Sequence, residues 1–227
     1  MLHTGAKLGC KYLSISKGVQ ENELLLNNID SVLINNWINT EHFKPANNTE
    51  TIAKKTLRLI SVGTCSHVKQ HCTILTLVAL LKEKNYAVEY YHVGAGELEE
   101  LEIKMAQELK IVANVQFVGN QRNVLPWLYK ADFFLMPSLY EGLGNSCAEA
   151  MSVGLIPIVN DVPGLRDLVE NDKHGLVVDF KNLAIIADKV IELSMNSEKM
   201  KVFSTNSREK INQNYSLLNV NKLIAEY

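Results

Sequence analysis

Residues 137–159 read PSLYEGLGNSCAEAMSVGLIPIV, and this stretch predicts a loop, a helix and a strand in succession. The apolar run FFLM comes just before it, so residues 138–144 are expected to form the loop at a strand's carboxyl end. The helix is expected to begin near Gly144 or Asn145, with Asn145 as a candidate N-cap, and to stop at Gly154, a suitable C-cap. The run IPIV predicts the next strand, and a strand–helix–strand unit is typical of parallel sheets.

The same alternation of short apolar runs and longer helical patterns begins at residue 57. The apolar runs predict strands at residues 57–63, 88–94, 115–119, 133–137 and 156–160, with a shorter sixth at 175–178. The helical patterns lie at residues 69–84, 97–110, 123–130, 144–153 and 164–170. Strands that are apolar on both faces and joined by helices predict a doubly wound α/β domain with a parallel sheet. Ligands bind such sheets at the carboxyl ends of the strands, so functional residues are expected in those loops.

The composition is that of an ordinary globular protein. Of 227 residues, 47% are hydrophobic and 21% charged, and the net charge of −2 gives no general case for nucleic acid or an acidic membrane surface. The amino-terminal residues lack the features of a secretory signal, and the apolar runs are too short to span a bilayer. Four scattered cysteines do not make a disulfide framework. We therefore expect a cytoplasmic protein with reduced thiols, and at most peripheral association with the inner face of the membrane.

Chemistry is expected where the loop of residues 138–144 enters its helix. Gly142 and Gly144 allow the backbone to approach a ligand closely, and the first N–H groups of the helix favour an anion, above all a phosphate. Glu141 and Glu149 frame this point with the spacing E-x7-E, and a carboxylate here is well used when it accepts hydrogen bonds from sugar hydroxyls. The alternative is that Glu141 is a solvated loop residue and Glu149 a carboxylate favoured by the helix dipole.

This segment resembles the carboxyl-terminal, donor-binding half of GT-B glycosyltransferases, in the large retaining group that carries the E-x7-E motif (glycosyltransferase group 1). Four further segments match in order: residues 35–45 (NNWINTEHFKP), 93–102 (VGAGELEELE), 115–124 (VQFVGNQRNV) and 161–178 (DVPGLRDLVENDKHGLVV). The resemblance runs from about residue 14 to the end, and five segments in register argue strongly against chance. It implies a Rossmann-like donor domain with a remnant of a second domain at the amino terminus.

The resemblance also implies roles for individual residues. Glu149 would bind the ribose hydroxyls of a nucleotide, and Glu141 would lie at the transferred sugar or the reaction centre. Backbone N–H groups of Leu143, Gly144 and Asn145 would hold the diphosphate. The donor-binding set would be Gly63, Thr64, Gly119, Asn120, Gly142, Leu143, Gly144, Asn145 and Glu149, with Gly119 and Asn120 near the base.

Residues 63–72, GTCSHVKQHC, raise the question of a metal site, since they hold two cysteines and two histidines. His67 and His71 share a helix face only if the helix already includes His67. Cys72 would then point about 100° away from His71. A metal needs three or four convergent ligands, and no second Cys/His cluster is near in sequence. Metal binding and plain loop packing are therefore the weaker interpretations.

The stronger interpretation of this loop rests on Lys69. In the family that the chain resembles, an arginine and a lysine in this loop neutralise the donor diphosphate, and Lys69 matches the lysine. Lys69 and Glu141 are accordingly the predicted catalytic residues, and no metal is implied. Thr64 stands where the arginine is expected and Gln70 where a glycine is usual. Threonine cannot replace the bidentate, permanently charged fork of arginine.

The segment VGAGELE, residues 93–99, also resembles a dinucleotide fingerprint. Its third glycine is missing, and the next strand ends without the acidic residue that would hold the ribose of NAD. NAD binding is therefore the weaker interpretation of these glycines. In the helix that follows, the apolar stripe is expected to face the core: Leu98, Leu101, Met105 and Leu109.

The resemblance implies a retaining hexosyltransferase that moves a sugar from a UDP- or GDP-type donor to a glycan or lipid-linked acceptor, without a cofactor. Residues 1–43 are expected to be a remnant of the amino-terminal acceptor domain plus a linker, with a strand, a helix and a second strand. Residues 44–213 would be the donor-binding domain and residues 214–227 a crossover helix. Its apolar positions would then be partly exposed: Leu217, Val220, Leu223 and Ile224.

Since the family has two Rossmann-like domains, the chain is expected to lack most of the acceptor domain. Three alternatives stay open. The chain is a fragment that is inactive alone, or one subunit of a split enzyme whose partner chain supplies the acceptor domain. The third is a non-catalytic nucleotide-sugar-binding or interaction module, which Thr64 makes more credible.

Overall fold

The computed structural model describes residues 12–46, 56–218 and 220. In chain order, its strands are β1 (Leu13–Ser14), β2 (Val32–Leu33), β3 (Thr56–Val62), β4 (Ala87–Val93), β5 (Val115–Gly119), β6 (Phe133–Met136), β7 (Ile156–Asn160) and β8 (Leu176–Val178). Its helices are α1 (Lys17–Asn27), α2 (His71–Glu83), α3 (Glu99–Glu108), α4 (Leu125–Leu128), α5 (Asn145–Ser152), α6 (Pro163–Leu168), α7 (Leu183–Ser194) and α8 (Ser197–Asn214). The six strands predicted from residue 57 onward are confirmed, and the five helices predicted among them differ by one or two residues at their ends.

Six strands form one parallel sheet in the order β5-β4-β3-β6-β7-β8. The chain moves outward from β3 to β5, returns to the other side of β3 for β6, and then continues to β8. This is the doubly wound, Rossmann-like order, so the predicted fold class is confirmed. The reversal between β3 and β6 leaves a crevice at their carboxyl ends, where the loops leading to α2 and α5 begin.

The central strands β6 and β7 are buried on both faces, which is why they read as continuous apolar runs, whereas β4 alternates between exposed and buried residues and β5 is only partly buried. Leu59 and Leu135 belong to a cluster covered by α2 and α7, whereas Ile60 and Phe134 belong to a second cluster covered by α5 and α6. Each such side chain stabilises the fold by about 1.5–3 kcal/mol through burial. The two clusters therefore hold β3 and β6, and the loops that follow them, in fixed positions.

Helix α3 turns a different face to the core from the one predicted. Leu101 is 51% exposed, while Glu102 and Ala106 are buried. Met105 and Leu109 pack at the border of the first cluster, as expected of the apolar stripe. The inward position of Glu102 follows from two buried histidines that face its carboxylate, His71 and His92.

The amino-terminal segment contains the predicted strand, helix and strand. β1 and β2 pair in parallel, and Ser16 caps α1 through its hydroxyl. The Ser16 hydroxyl also donates to the carbonyl of Gly142, and the Gly18 N–H donates to the Asp167 carboxylate at 2.9 Å. This segment therefore lies against the loop that carries the E-x7-E motif. The assignment of residues 1–43 to a second domain stays a prediction.

Tyr215 and Ser216, which follow α8, lie against the linker before β3. The Ile38 N–H donates to the Tyr215 carbonyl at 2.7 Å, and Ile38 is buried. Leu217 is half exposed, as predicted, whereas the prediction for Val220 is wrong: a helical hydrogen bond to Ser216 turns it inward and it is buried. Leu223 and Ile224 lie outside the described residues. In the ranges that the structure covers, no helix is long and apolar enough to cross a membrane.

Candidate active site

Two loops meet at the carboxyl edge of the sheet, one after β3 and one after β6. The Leu139 N–H donates to the Val68 carbonyl at 2.9 Å and joins the loops directly. The Ser146 hydroxyl, at the start of α5, donates to the Val62 carbonyl at 3.0 Å and fastens α5 to the end of β3. These two hydrogen bonds therefore connect the loops and the start of α5 at the point where the strand order reverses.

The two predicted catalytic side chains, one from each loop, are in contact. Lys69 Nζ lies 2.6 Å from Glu141 Oε1, and the side chains are 25% and 11% exposed. An ion pair in such a partly desolvated place is less screened than one on the surface. The arrangement presents a cation at the crevice and a carboxylate that holds its position.

Helix α5 begins with a glycine cap. Gly144 is the N-cap, in the left-handed region with φ of +88°, and Asn145 is the first helical residue. The prediction of Asn145 as N-cap is therefore wrong, because the left-handed turn at Gly144 already ends the loop. The Asn145 amide oxygen instead accepts from Asn36 Nδ2 at 3.1 Å. Among the described side chains none caps α5, which leaves the positive end of the helix available to an anion.

Glu149 lies in the second turn of α5 and is half-buried. Burial raises the pKa of its carboxyl to about 7. At neutral pH the group is thus poised between its protonated and ionised forms. Hydrogen bonds from ligand hydroxyls would favour the ionised form, as expected of a carboxylate that binds a sugar.

The remaining predicted donor-binding residues are distributed along the same edge. Gly63 follows β3, with its N–H bonded to the Val93 carbonyl at 3.0 Å, and the Thr64 side chain is exposed beside it. Gly119 ends β5, two strands from β3, and the exposed Asn120 follows it. Gly142 and Leu143 lie in the loop before α5, with Leu143 buried in the second cluster. Lys69 and Glu141 are brought into contact, whereas Gly119 and Asn120 lie at the far side of the sheet edge.

The glycine pair of VGAGELE has a packing role. Gly94 has φ of +144°, and a Cβ built there would lie 1.9 Å from the Gly63 carbonyl oxygen. The loops after β3 and β4 therefore approach as closely as two backbones allow. This contact explains the glycine without a dinucleotide.

Sequence reasoning missed a buried group of four side chains just behind this site. Cys65, His71, His92 and Glu102 each offer one ligand atom, and these atoms lie within 4.8 Å of one another. Burial, the largest cause, lowers the pKa of His92 to about 4 and raises the pKa of the Cys65 thiol to about 12. His67, weighed as a ligand in the sequence, is exposed and outside the group. The available signal was positional, since His92 lies near the end of β4 and Glu102 in the first turn of α3.

Curated glycosyltransferases are similar to this chain in sequence. A UDP-Gal:alpha-D-GlcNAc-diphosphoundecaprenol alpha-1,3-galactosyltransferase of Escherichia coli is 26% identical over 86% of this chain and 53% of its own length. A poly(ribitol-phosphate) alpha-N-acetylglucosaminyltransferase of Staphylococcus aureus is 27% identical over 63% of this chain and 29% of its own length. The chain thus spans about half or less of these curated relatives.

Solved structures share the fold at low identity. A mutant of S. aureus TarM, in complex with fondaparinux, alpha-GlcNAc-glycerol and UDP, superposes with a TM-score of 0.82 at 21% identity, over 95% of this chain and 43% of that one. HepE of Anabaena, in complex with UDP and glucose, gives a TM-score of 0.83 at 16% identity, over 95% of this chain and 62% of that one. These likenesses confirm the doubly wound α/β fold of the chain.

The family described as glycosyl transferases group 1 matches residues 43–210, which is most of the chain. The matched range contains β3 to β8, the Lys69–Glu141 pair and the whole E-x7-E segment. The chain therefore belongs to the glycosyl transferases of group 1.

Proposed function

We propose that the chain is the donor-binding part of a retaining hexosyltransferase, which transfers a sugar from a nucleoside diphosphate to a glycan or lipid-linked acceptor. The observation that carries the proposal is the Lys69–Glu141 ion pair beside the start of α5, whose first N–H groups are not capped by any described side chain. Lys69 and the positive end of α5 would bind an anion. The Glu141 carboxylate would accept hydrogen bonds from a neighbouring group that carries hydroxyls. A diphosphate joined to a sugar has those two parts in that order.

The chemical difficulty in such a transfer is the negative charge that builds up on the departing diphosphate. Lys69 and the N–H groups of Leu143, Gly144 and Asn145 would stabilise it electrostatically, without a metal ion in the step. Glu141 would orient Lys69 and the sugar, and Glu149 would accept the ribose hydroxyls. Gly119 and Asn120 would lie near the base.

A UDP donor has the best support. The E. coli relative is named for UDP-Gal, and both TarM and HepE were solved with UDP. A GDP donor is the second choice. For the acceptor, the names of the E. coli and S. aureus relatives specify a diphosphoundecaprenol and a poly(ribitol-phosphate). By analogy we propose a lipid-linked or polymeric acceptor for this chain. An acceptor domain or a partner chain would hold that acceptor, at the inner face of the membrane.

One observation favours a second candidate function, a non-catalytic interaction module. Thr64 is exposed at the position where the second diphosphate-binding cation is expected. A charge-assisted contact contributes about 1.5–3 kcal/mol, so its loss weakens leaving-group stabilisation substantially. The retained Lys69, Glu141 and Glu149 favour the enzyme.

Nucleotide binding tests the proposal. Saturation-transfer NMR with UDP, GDP, ADP and UDP-glucose should show binding of UDP and UDP-glucose, with the uridine and ribose protons most strongly saturated. ADP is the matched control for a diphosphate on another base. If the folded chain binds none of these compounds, the donor-binding proposal fails and the interaction module is favoured.

Donor binding should depend on pH through Glu149. Because the pKa of its carboxyl is about 7, the free chain is mostly protonated there at pH 6 and ionised at pH 8. Ribose hydroxyls donate better to the ionised form, so the affinity for UDP-glucose should rise about tenfold from pH 6 to pH 8. UDP-glucose is the appropriate ligand because its diphosphate does not titrate in this range. Calorimetry should show that the affinity of Glu149→Gln for UDP-glucose changes less between pH 6 and pH 8 than that of wild type. An equal change in both proteins would mean that Glu149 does not bind the ribose.

A further inference from the structure

The four buried side chains behind the site come from four different elements. Cys65 lies in the loop after β3, His71 begins α2, His92 lies near the end of β4, and Glu102 is in the first turn of α3. Their exposed fractions are 0%, 4%, 1% and 1%. A carboxylate and a thiol gathered with two imidazoles in so dry a place need partners that compensate the cost of burial.

Some polar atoms of this group lack a compensating hydrogen bond among the described residues. Among the residues described, no hydrogen bond of normal geometry reaches His71 Nδ1 or either carboxylate oxygen of Glu102. Yet these atoms face one another: His71 Nδ1 lies 3.6 Å from Glu102 Oε1, and His92 Nε2 lies 3.3 Å from Glu102 Oε2. Cys65 Sγ lies 3.0 Å from His92 Nε2. Four ligand atoms therefore converge on one small volume.

A second layer of contacts orients His92. Its Nδ1 lies 3.2 Å from the Ser61 hydroxyl and 3.1 Å from the Tyr90 hydroxyl, and both of those residues are buried. A ring that donates from Nδ1 to these hydroxyls has its lone pair on Nε2, directed toward Cys65 and Glu102. Hydrogen bonding of the second ring nitrogen is the usual support for a metal-bound histidine.

We propose that Cys65, His71, His92 and Glu102 form a structural zinc site. One thiolate, two imidazoles and one carboxylate are ligands that Zn²⁺ accepts, and four protein ligands make a closed, tetrahedral site. Zinc bond lengths of about 2.0–2.3 Å imply ligand atoms roughly 3.3–3.8 Å apart. Three of the separations, 3.0, 3.3 and 3.6 Å, lie close to that range, and the ligand atoms all lie within 4.8 Å of one another, so shifts of up to about 1 Å complete the tetrahedron.

The site would act on the architecture of the crevice rather than on the sugar transfer. It would tie together the loop after β3, the end of β4 and the first turns of α2 and α3. The loop after β3 also carries Lys69, whose ammonium group contacts Glu141 in the loop after β6. Zinc would thus fix the base of the loop that places the catalytic cation, and its binding would be coupled to folding.

Metal analysis of the untagged chain, purified under reducing conditions without chelator and supplied with Zn²⁺, tests the inference. We expect about one zinc per chain, as a closed four-ligand site requires. Cys65→Ser should lose most of the bound zinc, and Cys72→Ser, a matched thiol on α2 outside the group, should keep it. Chelation should lower the melting temperature of wild type and of Cys72→Ser.

A measurement on the unaltered chain covers the case in which Cys65→Ser does not fold. Cobalt(II) bound in place of zinc should give a thiolate-to-metal charge-transfer band and the intense visible bands of a tetrahedral site. X-ray absorption at the zinc edge should show one sulfur and three nitrogen or oxygen neighbours. Failure of wild type to bind zinc or cobalt, a zinc shell without sulfur, or loss of metal in Cys72→Ser would each overturn the proposal.

Discussion

Replacing Lys69 by glutamine is expected to weaken UDP binding by about 10–100-fold. The ammonium group is the cation at the crevice, and a charge-assisted contact to a phosphate is worth about 1.5–3 kcal/mol. The substitution has a second cost. It leaves the Glu141 carboxylate, whose side chain is 11% exposed, without its partner 2.6 Å away and facing the incoming anion.

Isothermal titration of UDP into the two proteins measures this effect. Lys104→Gln is the matched control, because it removes the same charge from a lysine whose side chain is 72% exposed on α3. Glu141→Gln separates the two costs: it frees Lys69 and should bind UDP at least as tightly as wild type. The double variant should bind better than Lys69→Gln alone. A twofold change or less in Lys69→Gln would place the diphosphate elsewhere.

The parts of the fold that follow from local pattern could be predicted. β6 and β7 are continuous apolar runs because they are buried on both faces. β3, β4 and β5 are less completely buried, but each is apolar enough, and followed by a clear enough turn signal, to be located from the sequence. The loop before α5 could also be located, since glycines and carboxylates in E-x7-E spacing mark it in the sequence. The fold adds the parallel pairing of β3 and β6, which brings the ends of these two strands, and so the two loops, together.

The parts that failed depend on contacts between distant residues. Asn145 is a good N-cap candidate by residue type, but Gly144, in the left-handed conformation, is the N-cap. The Asn145 side chain is instead hydrogen-bonded to Asn36. In α3 the apolar period favours Leu101 as a core residue, whereas Glu102 is buried against His71 and His92. Such a choice is invisible to helical periodicity, because the partners of Glu102 come from the start of α2 and the end of β4.

The largest expected loss of stability comes from Gly94→Ala. The new Cβ would lie 1.9 Å from the Gly63 carbonyl oxygen, at a φ of +144° that side chains rarely adopt. Backbone, not a flexible side chain, is the obstacle, so the loops after β3 and β4 must separate. Strain and overpacking together should cost about 3–5 kcal/mol of unfolding free energy. For a chain of this length that corresponds to a drop in melting temperature of about 10 °C.

Gly119→Ala is the matched control, because Gly119 also has a positive φ, +70°, but no atom of the described residues lies within 4 Å of its Cβ position. That variant should lose only about 1–2 kcal/mol, the cost of the left-handed backbone. Urea unfolding followed by circular dichroism compares the two directly. Equal losses would mean that the loops after β3 and β4 do not meet as described. A larger loss in Gly94→Ala, accompanied by weaker UDP binding, would show that this backbone contact also supports the loop that carries Lys69.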